Sequence, residues 1–234
     1  MNSLKDDVLS YREMCDAENV QTLQRGMNYR LCPSYSVILM SQRVNAPYKD
    51  KIYPDGITLE YEGHDVNRKA YGHNPKLEHQ ISELPSGKLT QNGLFIDAVN
   101  KFKDKISSPE RIKVYEKIMD GVWSLKGYFD LLDYKVINDG ARNIFRFILR
   151  LAETQDERGG EDVQLSHTRL IPSEIKKEVW KRDDGRCVYP GCGANVNLHF
   201  DHILPFSKGG TSLTAKNVRL LCMKHNLEKS AKIE

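Results

Sequence analysis

The sequence predicts an α+β protein in two parts. The first is a curved β-sheet or small barrel with flanking helices; the second is a small zinc-stabilised domain. Three observations predict it. Short apolar runs separated by turn residues fill most of the chain from Tyr35 to Leu151. A stretch with five acidic residues and almost nothing apolar, Glu153 to Gln164, then breaks the pattern. After it, three of the five cysteines cluster with metal-ligand spacing. A chain of 234 residues suits one large domain or two small ones, and two is the better expectation.

Residues 1–30 read as a helical arm. Leu4, Val8, Leu9 and Tyr11 would form its apolar side, with Asp6 and Asp7 near its start. Residues 31–152 form the sheet-rich domain. Tyr35–Met40 is an apolar, strand-like run. Asn45–Tyr48 and Tyr53–Gly56 are turn signals, and Ile57–Tyr61 alternates at period two like a half-buried strand. Gly93–Phe102 has helical spacing. Ile112–Tyr115, Val122–Leu125, Gly127–Val136 and Ile144–Leu151 read as further strands. Residues 153–169 serve as a linker, and 170–234 as the second domain. That domain opens with a helix over Pro172–Arg182, started by Pro172 and Ser173 and ended by Asp183-Asp184-Gly185.

Composition narrows the function classes. Hydrophobic residues at 39% and charged residues at 29% describe a soluble globular chain, neither disordered nor membrane-embedded. No apolar run approaches the ~18 residues of a membrane span, so no membrane partner is expected. Met1–Asp7 has no apolar signal region, which makes a cytoplasmic location the expectation. An odd cysteine count argues against a disulfide framework, and Cys15 and Cys32 read as small buried hydrophobes. From Leu170 onward there are 11 Lys/Arg against 7 Asp/Glu, while the rest carries 24 against 25. The positive excess sits in the second domain, as a polyanion-binding surface or an ordinary solvated basic one.

Cys187-x4-Cys192 and Cys222-x2-His225 are two ligand pairs some thirty residues apart, and together they can close a tetrahedral Cys3His zinc site. The segment is too short to bury much core, so a structural Zn2+ would substitute for one. Between and beyond these pairs stand Asp201-His202-Ile203-Leu204-Pro205-Phe206-Ser207-Lys208-Gly209-Gly210, then Asn217 before Leu220-Leu221-Cys222, then His225-Asn226-x-x-Lys229. In this combination residues 171–234 resemble the HNH nucleases, whose fold is two strands and a helix around a metal. The resemblance implies His202 as general base and Asp201 with Asn226 as ligands of one Mg2+ or other divalent cation. It implies Asn217 as the residue that holds the His202 loop. Arg219 and Lys229 are candidate phosphate contacts. The chemistry agrees. Phosphodiester cleavage needs an activated water and a cation at the phosphate. An imidazole suits the first task and hard oxygen ligands the second. On an extended segment, Asp201 and His202 point to opposite sides, so one can face a metal and the other a water. His225 could be a zinc ligand or the last histidine of the motif; zinc is preferred, because C-x2-H stands where many relatives have C-x2-C. Some relatives also carry a histidine where Asn226 stands. His199 reads as strand surface or a phosphate contact.

Residues 35–151 resemble the SRA domains, a PUA-like fold that reads modified cytosine in DNA. Three stretches carry the likeness. They are Ala46–Asp50 with Tyr53–Gly63, then Leu89–Ala98, then Val122–Asp130 with Phe145–Arg150. The resemblance implies base flipping, with a modified cytosine stacked between Tyr48 and Tyr61 and its amino group on Asp50. Glu62 stands in the same pocket region, where the family usually has Thr or Ser, and one extra residue separates Tyr48 from the Gly56 turn. Tyr48 and Tyr61 could equally be strand aromatics of a core, and Trp123 reads as core. The expected whole is a modification-dependent restriction endonuclease, acting on double-stranded DNA with 5-methylcytosine or a related base. A double-strand break from one HNH site per chain calls for a homodimer or two successive events. The alternatives are an HNH restriction or nicking enzyme of ordinary sequence specificity, and a non-catalytic zinc-containing DNA-binding module.

Overall fold

The computed structural model describes residues 6–66, 74–153, 170–205 and 208–229. The expected linker, 153–169, lies almost wholly outside the described residues. The chain is a mixed α+β protein, mostly sheet, with four α-helices among the described residues.

The strands are β1 (Val8–Leu9), β2 (Met27–Cys32), β3 (Tyr35–Met40), β4 (Lys51–Ile52), β5 (Thr58–Glu62), β6 (Glu110–Met119), β7 (Val122–Asn138) and β8 (Asn143–Leu151). They form one sheet in the order β2-β3-β6-β7-β8-β5-β4, with β1 added beside β7. Only the β3–β6 pair is parallel; the rest are antiparallel. Helix α1 (Tyr11–Ala17) precedes β2, and α2 (Gln91–Lys103) crosses back before β6, making the parallel connection that β3–β6 requires. The core under α2 contains Phe95 and Val99 against Val114, Phe129, Phe147 and Leu149, all buried. Register shifts near Val114/Tyr115 and Leu131/Asp133 bend the long β7 and curve the sheet.

The expected strands 122–125 and 127–136 are one continuous strand, because Gly127 adopts φ 111° and lets the backbone pass the bulge. The expected N-terminal helical arm needs correction. Val8 and Leu9 pair with Ser124 and Trp123 as strand, and the helix starts only after Ser10, whose capping box with Glu13 fixes that start. Residues 27–30 already belong to β2.

The C-terminal unit comprises α3 (Ser173–Arg182), β9 (Leu198–His202), β10 (Val218–Cys222) and α4 (Met223–Lys229). Strands β9 and β10 pair antiparallel, Asp201 opposite Arg219 and His202 opposite Val218. Ile171, Val179, Leu198, Phe200, Leu220 and Leu221 form its core, a cluster separate from that of the sheet. The N-cap of α3 is Pro172, and Ser173 does not cap. Its hydroxyl instead bonds Glu116 on β6 and Gln42, which ties this helix to the sheet.

Candidate functional site

The Cys3His cluster forms where the spacing places it. Cys187 and Cys192 flank a turn at Gly191, which adopts φ 76°, and Cys222 ends β10 just before His225 on α4. All four ligand atoms lie within 4.8 Å of one another. Cys187 Sγ to His225 Nδ1 is 3.5 Å, Cys222 Sγ to the same nitrogen 3.3 Å, and Cys192 Sγ to Cys222 Sγ 3.9 Å. A tetrahedral zinc with Zn–S near 2.3 Å and Zn–N near 2.0 Å sets roughly 3.8 Å between sulfurs and 3.6 Å from sulfur to nitrogen. The observed edges match that polyhedron. Tyr189 stacks on His225 at 3.9 Å and 9°, which orients the ring for its ligating nitrogen.

The hydrolytic candidates gather around the C-terminal end of β9 and the last turn of α4. His202 Nε2 lies 2.9 Å from Ser212 Oγ. Asn217 holds the intervening loop: its Oδ1 accepts from Leu204 N at 2.8 Å, and its Nδ2 donates to Leu204 O and Thr211 O. Gly210 makes this loop possible, because a Cβ there would sit 1.8 Å from Leu204 O. Asp201 Oδ2 accepts from Lys229 Nζ at 2.6 Å and Arg219 Nε at 3.4 Å. Lys229, expected at a phosphate, is 2% exposed and also donates to the His202 carbonyl, so its charge is spent inside the site. Arg219 likewise faces Asp201. Asn226 is half-buried three residues before Lys229 and therefore shares the α4 face that reaches Asp201. One carboxylate and one carboxamide are oxygen donors of the kind a hard divalent cation takes. His199, read as surface or phosphate contact, is 1% exposed, with Nδ1 2.6 Å from Asp7 Oδ1.

The second concavity is a cavity of about 420 Å³ beside the large sheet. Tyr48, Asp50 and Tyr61 line it together, with Tyr11, Gly26, Arg43, Lys117 and Trp123. Asp50 is 8% exposed, accepting from Ser41 N at 3.0 Å and Glu62 N at 3.1 Å. Burial holds its carboxyl up at about 7, against those two hydrogen bonds. Tyr61 is 1% exposed and its hydroxyl reaches the Leu39 carbonyl at 3.4 Å. Tyr48 does not face Tyr61 as an open sandwich. It stacks on His64 at 6.1 Å and 21°, with Lys76 Nζ 4.0 Å from its ring centre. Burial pushes the Tyr48 hydroxyl up to about 12 and His64 down to about 4, so both are neutral at pH 7. Glu62 is not part of the cavity wall. Its carboxylate lies beneath, between Arg146 at 3.2 Å and Arg142 at 3.6 Å, while it accepts from Lys49 N. Trp123, read as core, is half-buried in the wall. Tyr11 was hidden because its contribution depends on β1 and α1 folding against β7 rather than on local pattern.

No protein-family model and no curated protein matches this chain. Solved structures with a similar course of chain include SRA domains and modification-dependent restriction enzymes. The SRA domain of SUVH5 in complex with hemi-methylated CG DNA is 17% identical with a TM-score of 0.46, over 67% of this chain and 93% of that one. The modification-dependent TagI restriction endonuclease is 17% identical with a TM-score of 0.44, over 97% of this chain and 77% of that one. The Type IV phosphorothioation-dependent restriction endonuclease ScoMcrA is 14% identical with a TM-score of 0.46; 99% of this chain covers 53% of that one. Among the described residues no helix is long and apolar enough to cross a membrane.

Proposed function

We propose that the chain is a modification-dependent DNA endonuclease, with an SRA-like reader over residues 31–152 and an HNH nuclease over 170–234. One observation carries the reading: Asp201 and His202 end β9 side by side, opposite β10 and beside α4, with Asn217 pinning the loop that follows. That arrangement supplies both parts of phosphodiester hydrolysis. The His202 imidazole, steadied by Ser212, takes the proton of an attacking water. Asp201 and Asn226 would hold a divalent cation, which supplies charge to the phosphate and leaving oxygen. Lys229 keeps the Asp201 carboxylate aimed. A zinc ion held by Cys187, Cys192, Cys222 and His225 would fix α4 relative to β10. In the reader, the base would enter the cavity against Tyr48, with the Asp50 carboxylate accepting from the cytosine amino group.

Parallel digests of one plasmid carrying cytosine, 5-methylcytosine, 5-hydroxymethylcytosine or glucosylated hydroxymethylcytosine test this, each with and without Mg2+. Cleavage confined to modified plasmid, and lost in His202→Ala, is the expected result. Equal cutting of all four plasmids leaves a nuclease of ordinary specificity, and metal-dependent cutting that survives His202→Ala rejects the assigned base.

A further inference from the structure

Strand β1 is two residues long, yet it belongs to both halves of the molecule. Its side chains alternate. Val8 packs with the C-terminal core around Phe200 and Leu220, and Leu9 with the cluster that includes Leu125, Tyr128 and Trp123. Just upstream the backbone bonds both ways. Asp6 N donates to Leu125 O at 2.5 Å and Leu125 N to Asp7 O at 2.9 Å, while Phe200 N donates to Asp6 O at 3.2 Å. The side chains repeat the pattern. Asp6 Oδ1 receives Lys176 Nζ of α3 at 2.7 Å, and that ammonium also donates to Ser124 Oγ at 2.7 Å. Asp7 meets His199 of β9 at 2.6 Å. Lys176 is 0% exposed and His199 1%, so these are interior contacts. Asp6 holds φ 64°, a conformation that a non-glycine residue keeps only when its surroundings impose it.

At its other end the same segment enters the cavity wall. Tyr11 follows the Ser10 cap and lines the cavity, as does Trp123, the β-partner of Leu9. His199 and Phe200 immediately precede Asp201 and His202. One strap of six residues therefore runs from the wall of the base cavity to the strand that carries the hydrolytic pair. Apolar contacts alone would join two domains at least as firmly as buried charges. The buried polar contacts Asp6–Lys176 and Asp7–His199 add a demand for one specific geometry. An occupant touching Tyr11 and Trp123 also touches the strap and its β-partner, which is the contact that ligand-driven repositioning would act through.

We propose that Asp6–Tyr11 couples the two sites. Asp7 and His199 act as positioning residues that set β9, and with it Asp201 and His202, according to whether the cavity is filled. The proposal rests on the reader-nuclease reading above. Hydrogen exchange on the wild-type protein tests it, with a short duplex carrying one 5-methylcytosine, its unmodified twin, and no divalent metal. Protection at Tyr48–Tyr61 accompanied by a slowing of roughly threefold or more at the Leu125 and Phe200 amides is expected. Protection of the cavity with Leu125 and Phe200 unchanged overturns the coupling and leaves the reader standing. No protection at the cavity by either duplex removes the reader, and the coupling with it. In a second arm, Asp7→Ala should keep the affinity for modified duplex within about twofold while kcat falls roughly tenfold or more, and Asp7→Asn should recover most of that rate. An unchanged kcat in Asp7→Ala, or equal loss of binding and rate, also overturns it; the exchange arm decides if Asp7→Ala does not fold.

Discussion

Replacing Cys192 by Ser removes one corner of the proposed zinc polyhedron and little else. Cys192 is half-buried at the edge of the C-terminal core, so its loss as a hydrophobe is small. As a ligand its loss is large. The sulfur sits 3.9 Å from Cys222 Sγ, and a serine hydroxyl is a poor, hard substitute for a thiolate. Structural zinc contributes on the order of 10 kcal/mol to small domains, as much as the whole stability of a typical fold. Weakening the site by even a third of that would depopulate the native C-terminal unit by more than a hundredfold. The assay uses the chain's two tryptophans. Trp180 packs against the C-terminal core and Trp123 lines the cavity beside the sheet. In a Trp123→Phe background, Trp180 emission reports the C-terminal unit alone. Metal analysis should give about one zinc per wild-type chain and less than about a tenth in Cys192→Ser. Trp180 emission should shift to the red, and addition of a strong chelator to wild type should produce the same shift. A Cys192→Ser protein that retains a full equivalent of zinc and unchanged Trp180 emission would refute the tetrahedral assignment.

The proposed reader makes a pH prediction. With the Asp50 carboxyl near 7, selective affinity for modified over unmodified duplex should fall as pH drops from 8 to 6, measured by fluorescence anisotropy, and Asp50→Asn should flatten that slope. The linked stability has a definite sign. Between about 4 and 7 the folded chain keeps a proton that the unfolded chain has lost, so this group's contribution falls as pH rises through that window. Gly26→Ala should empty the cavity of function without unfolding the sheet, because its Cβ would lie 2.7 Å from the Tyr61 hydroxyl and 3.1 Å from His64; the readout is lost binding with retained far-ultraviolet dichroism. Lys126→Met should cost about 3–5 kcal/mol by urea denaturation, since it strands Glu116, its partner at 2.6 Å with both side chains fully buried. Adding Glu116→Gln to that variant should recover most of the loss.

The parts legible in the sequence are those whose signal is local. Cys187 with Cys192, and Cys222 with His225, lie within a few residues of a turn or helix start, so spacing brings each pair together; the Val188 N–Leu220 O bond then seats one pair beside the other. Asn217 and Gly210 are similarly local to the loop they shape. The expected Tyr48–Tyr61 sandwich does not form in the structure. Tyr48 meets His64 because the residues between them fold back through Asp50, whose carboxylate bonds Ser41 and Glu62 on two different segments. Such a carboxylate looks the same in sequence whether it faces a ligand or a backbone. Glu62 lies outside the expected pocket for a related reason: Glu62, Arg142 and Arg146 meet only when β8 pairs with β5, and alternation along β5 does not show that its outward face is covered.

The N-terminal segment departs from the expected helix: its apolar spacing fits a helix, while its period in the fold is two. Leu4, Val8 and Tyr11 fall at helical intervals, but Val8 and Leu9 are used as a strand would use them, one side chain into each of two cores. That choice is tertiary: β7 offers an open stretch at Trp123–Leu125, and β9 offers the Phe200 amide, so the backbone of 6–9 satisfies more hydrogen bonds extended than coiled. The two aspartates then find buried partners, the Lys176 ammonium and the His199 ring, that no reading of residues 1–30 alone could supply. The same fact explains why this segment carries functional weight. A helix on the surface would bury one face against one partner, whereas a strand inserted between two cores must change its contacts with both whenever either moves.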